Sequence, residues 1–129
     1  MKRVYLSFAA EDLSRIKNLL LSLSPAAGEF DFYDGPLDFA FDDPQAEPVR
    51  RKMGEKIVKT EVTLCLIGEN THKDKWVDCQ LQKSLNKGNK IIAMALKKVE
   101  AAVLPEAIRA QNLKFYPWNP KKLAELIQA

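Results

Sequence analysis

The stretch Glu61-Val62-Thr63-Leu64-Cys65-Leu66-Ile67-Gly68 constrains this chain more than any other. It is too short for a helix, and it is uncharged at odd and even positions alike between Glu61 and Gly68. A strand of that kind is covered on both faces, the signature of a parallel sheet with helices on each side. Lys90 to Leu96 repeats the pattern through Ile91-Ile92-Ala93-Met94-Ala95. Two further β-rich runs precede them, Arg3-Val4-Tyr5-Leu6-Ser7-Phe8 and Glu29-Phe30-Asp31-Phe32-Tyr33, and Leu113-Lys114-Phe115-Tyr116 reads as a last edge strand.

Helical signals fill the gaps. Glu11-Asp12 suits a helix start, with Leu13, Ile16, Leu19, Leu20 and Leu23 at helical spacing, and Ser24-Pro25 and Gly28 end it. Pro48 suits the first turn of a helix bearing Val49, Met53 and Ile57. Asp74 is the expected N-cap of a helix through Trp76, Leu81 and Leu85, with Gly88 as its stop. A short helix is expected from Pro105, and Asn119-Pro120 opens a terminal one carrying Leu123, Leu126 and Ile127. Strands alternating with helices predict an α/β three-layer sandwich around a five-stranded parallel sheet, order 2-1-3-4-5, as one domain over 1–129. Ligands then belong beyond the carboxyl ends of strands 1 and 3, where the winding reverses. The segment from Asp34 to about Glu47 has no clean period, and a loop of that length is usually functional or mobile.

Composition excludes several classes. A net charge of +3, evenly spread, gives no ground for a nucleic-acid or membrane-surface partner. No apolar run is long enough to span a bilayer, and no signal-peptide core follows Met1, so a cytoplasmic location with reduced thiols is expected. Cys65, Cys79 and His72 cannot supply a zinc-finger ligand set, and no metal is expected. The first strand–helix turn holds no glycine, so the dinucleotide fingerprint is absent; there is no P-loop, and Ile67-Gly68-Glu69 lacks the aspartate of a phosphoacceptor.

The informative stretch is Gly68 to Gln80. Trp76 and Gln80 lie one helical turn apart on one face, with Ser84 a turn further. Spacing alone favours Trp76 as a core residue and Gln80 as a solvated amide, yet a tryptophan in the first turn of a helix at the switch point is well placed to stack on a flat ligand.

The chain resembles the TIR domains, and within them the small bacterial TIR-like group typified by the Thoeris antiphage effectors. The likeness is carried by Val4-Tyr5-Leu6-Ser7-Phe8 with Glu11-Asp12, Phe32-Tyr33-Asp34, Ile67-Gly68-x-Asn70-Thr71, Lys75-Trp76-Val77-x-x-Gln80 and Phe115-Tyr116-Pro117-Trp118. The resemblance implies a flavodoxin-like fold and cleavage of NAD, as substrate, at the nicotinamide–ribose bond. It also implies release of an ADP-ribose-derived, often cyclised, signal that a downstream effector senses. By the same resemblance the 34–47 segment matches the BB loop, through which TIR domains associate with one another.

The resemblance puts a catalytic glutamate where this chain has Gln80. An amide keeps the shape but loses the negative charge, which implies an attenuated natural enzyme or a change that traps ligand. Around it, Ser7 is expected at the ribose with Gln80 in the catalytic set, and Phe8, Asp34, Trp76 and Ser84 in the binding set. Asp42 and Asp43 are expected to be solvated, and Asp78, about 160° around the helix from Gln80, cannot replace the missing acid. Two other readings remain: a nucleoside deoxyribosyltransferase, which needs the same absent carboxylate, and a non-catalytic TIR scaffold.

Overall fold

A computed structural model describes residues 1–37, 39–96 and 102–129. Five strands, β1 (Arg3–Ser7), β2 (Glu29–Asp31), β3 (Val62–Ile67), β4 (Lys90–Ala95) and β5 (Phe115–Pro117), form one sheet in the order β2-β1-β3-β4-β5. Every pairing is parallel, as the unbroken apolar runs require. The helices are α1 (Leu13–Leu20), α2 (Glu47–Val58), α3 (Lys75–Lys87), α4 (Glu106–Ala110) and α5 (Pro120–Gln128). None of them is long and apolar enough to cross a membrane.

The two faces of β3 split between two cores. Val62, Leu64 and Leu66 join Val4, Leu6, Ile92 and Met94 against Ile16 of α1 and Leu123 and Ile127 of α5. Cys65 and Ile67 join Ala93 on the other face, against Val77 and Leu81 of α3 and Ala107 and Ile108 of α4. All six residues of β3 are buried, so both phases of the period-2 alternation face a core, with Thr63 the one polar member.

Caps fall where the sequence puts them. The Asp74 carboxylate accepts from the Trp76 and Val77 N–H groups at 2.8 and 3.2 Å, and Asn119 accepts from Lys122 at 3.1 Å. Gly88 ends α3 at φ +91°, where a side chain is strained even though nothing crowds it. Gly88→Ala therefore costs about 1 kcal/mol by backbone strain alone, read as a shift in the denaturation midpoint without a change in slope.

β2 is shorter than its sequence pattern, ending at Asp31 rather than Tyr33. The Asp31 carboxylate takes the Phe32 N–H at 2.8 Å and turns the chain out of the ladder. α1 likewise ends at Leu20, before Leu23. The sheet's winding reverses between β1 and β3, and the loops leaving them meet the N-terminus of α3.

Candidate functional site at the switch point

A cleft opens at that meeting point. Its free interior is about 60 Å³, or about 470 Å³ with the open mouth counted. Phe8, Asp34, Trp76 and Gln80, four of the expected site residues, all line it. Leu6, Leu13, Leu37 and Met53 supply apolar wall, and Asp74 adds a second carboxylate beside Asp34.

Each of these side chains is placed by its element. Trp76 and Gln80 project from one side of α3, Phe8 follows the end of β1, and Asp34 follows β2. The Phe8 ring meets Phe32 edge-on, centroids 5.6 Å apart. The Tyr33 hydroxyl donates to the Pro36 carbonyl at 2.8 Å, closing the turn beside Asp34. Gly35 permits this: a Cβ there would come within 2.6 Å of the Tyr33 hydroxyl.

Gln80 is 5% exposed, and its Nε2 donates to the Met53 thioether at 3.4 Å, a weak acceptor. The amide is thus held in position without a strong polar partner.

Ser7 and Ser84 sit elsewhere. Ser7 is fully buried, does not line the cleft, and its hydroxyl has no hydrogen-bond partner among the described residues. Ser84 is committed to the fold, with its hydroxyl 2.7 Å from that of Thr63 and donating to the Gln80 carbonyl at 2.9 Å. Asn89 donates to Thr63 and Thr60 and completes this buried polar network. Helical periodicity put Ser84 on the Gln80 face correctly, but one turn further along α3 that face meets the sheet and not the cleft.

Phe41 is the feature that sequence reasoning missed. Its ring stands edge-on to Trp76, centroids 5.1 Å apart at 83°. Arg50 holds it, lying 5.4 Å over the ring and donating to the Phe41 carbonyl at 2.6 Å, and Asp42 pairs with Lys75 at 2.9 Å. The segment after Asp34 is therefore latched against the start of α3, and a ligand lying on the indole meets Phe41. No periodicity marks such a contact.

Burial shifts the titration of Asp74 in the cleft lining, of Asp12 in the turn after β1 and of Cys65 in the core beneath β3. Asp74, half-buried, is raised above the usual carboxylate range by burial, its two backbone N–H bonds opposing the shift. Asp12 is 3% exposed and is raised by burial, against the pull of Arg15 and with repulsion from Glu11 and Glu69. Burial pushes the Cys65 thiol up to about 12, so it stays protonated. A carboxyl whose pKa rises on folding opposes folding once ionised. Asp12's penalty is thus full above its folded pKa and fades as pH falls through that value towards 3.8. Asp12→Asn in metal-free protein should raise the melting temperature at pH 8 and lose that advantage by about pH 4.

This sheet order, with its cleft at the reversal of winding, defines a doubly wound, flavodoxin-like α/β domain. The sequence pattern of one family, described as Thoeris protein ThsB, TIR-like domain, matches residues 5–101, and the chain belongs to that family. Among curated proteins none matches. Among solved structures, the chain is similar to the TIR domain of the Toll-related receptor TRR-2 from Hydra magnipapillata, at 17% identity and a TM-score of 0.64. That match covers 99% of this chain and 93% of the other. It is similar also to the Clostridium botulinum CMP N-glycosidase BcmB (18% identity, TM-score 0.61, 99% and 100% covered). A third likeness is to the TIR domains of the activated Roq1 resistosome recognising the effector XopQ (16%, 0.53, 99% and 69% covered). These likenesses concern the fold.

Proposed function

We propose that this TIR domain binds NAD in the switch-point cleft and cleaves, weakly, its nicotinamide–ribose bond. One observation carries the reading: the Trp76 indole and the buried Gln80 amide line one cleft, with Phe8 and Asp34 in the same wall. Membership of the Thoeris TIR-like family supports it, and so does a fold shared with a protein named as an N-glycosidase.

The chemistry asks little of the protein. When the C1′–N bond breaks, both electrons go to the ring nitrogen and nicotinamide leaves neutral, so no general acid is needed. The ribose becomes an oxocarbenium ion, captured by water with loss of a proton or by another group of the same ADP-ribose to give a cyclic product. Trp76 stacks the leaving ring, Asp34 accepts from ribose hydroxyls, and the Gln80 carbonyl offers only a dipole to the growing positive charge. Phe41, edge-on to the indole, borders the ring on which the nicotinamide stacks. The product is read as a signal for a downstream effector in antiphage defence in the cytoplasm. Copies of the chain associate through the 34–47 segment, where Phe39 is exposed.

Incubating NAD with the chain and with its Gln80→Glu variant, followed by chromatography and mass analysis, tests the proposal. Free nicotinamide with ADP-ribose or a cyclised isomer is expected, far more of it from the variant. Base exchange on a deoxynucleoside, with NAD left intact, would favour the transferase reading. Self-association with NAD neither bound nor cleaved would leave the scaffold.

A further inference from the structure

We propose that Glu11, Asp12 and Glu69 form a binding site for a hard divalent cation of calcium size, separate from the dinucleotide reading. Glu11 and Asp12 lie in the turn after β1, and Glu69 lies just beyond the end of β3. One carboxylate oxygen from each lies within 4.8 Å of the others. Oxygens bound at about 2.3–2.6 Å stand up to about 5 Å apart across the ion, so the spacing admits calcium; magnesium, at about 2.1 Å, demands a near-ideal octahedron that three carboxylates from two separate loops do not supply. An all-oxygen donor set selects such cations over zinc or copper.

Acidic residues often cluster without an ion, and a second observation separates this cluster from that case. Asp12 is almost wholly buried, yet its Oδ2 has no hydrogen-bond partner among the described residues. Buried carboxylates are normally paired or hydrogen-bonded. Gly68 makes the room for it, since a Cβ at that position would fall 2.4 Å from Oδ2. Arg15 covers one side only: its guanidinium is 3.2 Å from Glu69 but 3.8 Å from the other Asp12 oxygen, Oδ1. Asn70 donates to both Glu11 oxygens at 3.2 Å, and a half-turn of its amide presents a further oxygen ligand. Water fills the remaining positions, as the exposure of Glu11 and Glu69 allows.

Titration calorimetry of the EDTA-treated full chain with calcium chloride, then with magnesium chloride, tests this. One saturable event is expected for calcium, with Kd of about 10⁻⁴–10⁻³ M and weaker binding of magnesium. Asp12→Asn should weaken calcium at least tenfold, and Glu69→Gln, an exposed change that leaves the fold intact, should do likewise. Arg15→Gln, which removes the competing cation, should tighten it. No saturable heat up to about 10 mM calcium overturns the site, and so does binding that all three variants leave unchanged. Tighter binding of magnesium overturns the size assignment.

Discussion

Gln80→Glu should raise the rate of nicotinamide release by about 10²-fold or more, equivalent to about 2.7 kcal/mol of transition-state stabilisation. The gain comes from charge, because the glutamate replaces a dipole with an anion beside the forming oxocarbenium ion. The surroundings also set its pH dependence. Gln80 is buried, and its one side-chain hydrogen bond goes to the Met53 sulfur, which gives nothing to a carboxylate. The new glutamate therefore carries a raised pKa, and only its ionised form helps. The variant's rate should climb with pH through that raised value and then level off, whereas the parent chain, with an amide at position 80, should lack the rise that this carboxyl adds to any due to Asp34 or Asp74. Steady-state nicotinamide release between about pH 5 and 9 checks both. An unchanged rate would mean that Gln80 does not face the reacting ribose.

Leu64→Ala should destabilise the fold by about 2–5 kcal/mol, read in a urea denaturation series. Leu64 is 1% exposed at the centre of β3, the strand that pairs with both β1 and β4. Its side chain enters the core built against α1 and α5. Close parallel strands on either side cannot collapse into the cavity, which puts the expected loss towards the upper part of that range. The same change at half-buried Leu113 should cost less, because solvent already reaches that position.

The contrast between Leu64 and Leu113 shows why the fold was legible in the sequence. A strand buried on both faces has to be uncharged and mostly apolar, and 62–67 and 91–95 satisfy that requirement, Thr63 being the one polar residue. Cap residues speak equally locally: Asp74, Gly88 and Asn119 act on backbone groups within a few positions of themselves. The site was legible only in part. Phe8, Asp34 and Trp76 lie at or just beyond element ends that the topology brings together, and Gln80 follows one turn along α3 from Trp76, so strand order and helical spacing sufficed to group them. Ser84 was misplaced because helical spacing gives a face, not the depth at which that face meets the sheet. Phe41 and Arg50 were invisible because their contact depends on the path of an aperiodic segment. The orphaned oxygen of Asp12 was hidden for another reason, since Glu11-Asp12 reads in sequence as an ordinary acidic helix start.

Calorimetric titration of NAD into this chain and into Trp76→Ala most directly tests whether the cleft is a dinucleotide site. One-to-one saturable binding is expected for the parent chain, weakened at least tenfold by loss of the indole, since a stacked ring contributes about 1 kcal/mol or more beyond its buried area. Absence of binding to the parent chain, or equal binding to both, would contradict it.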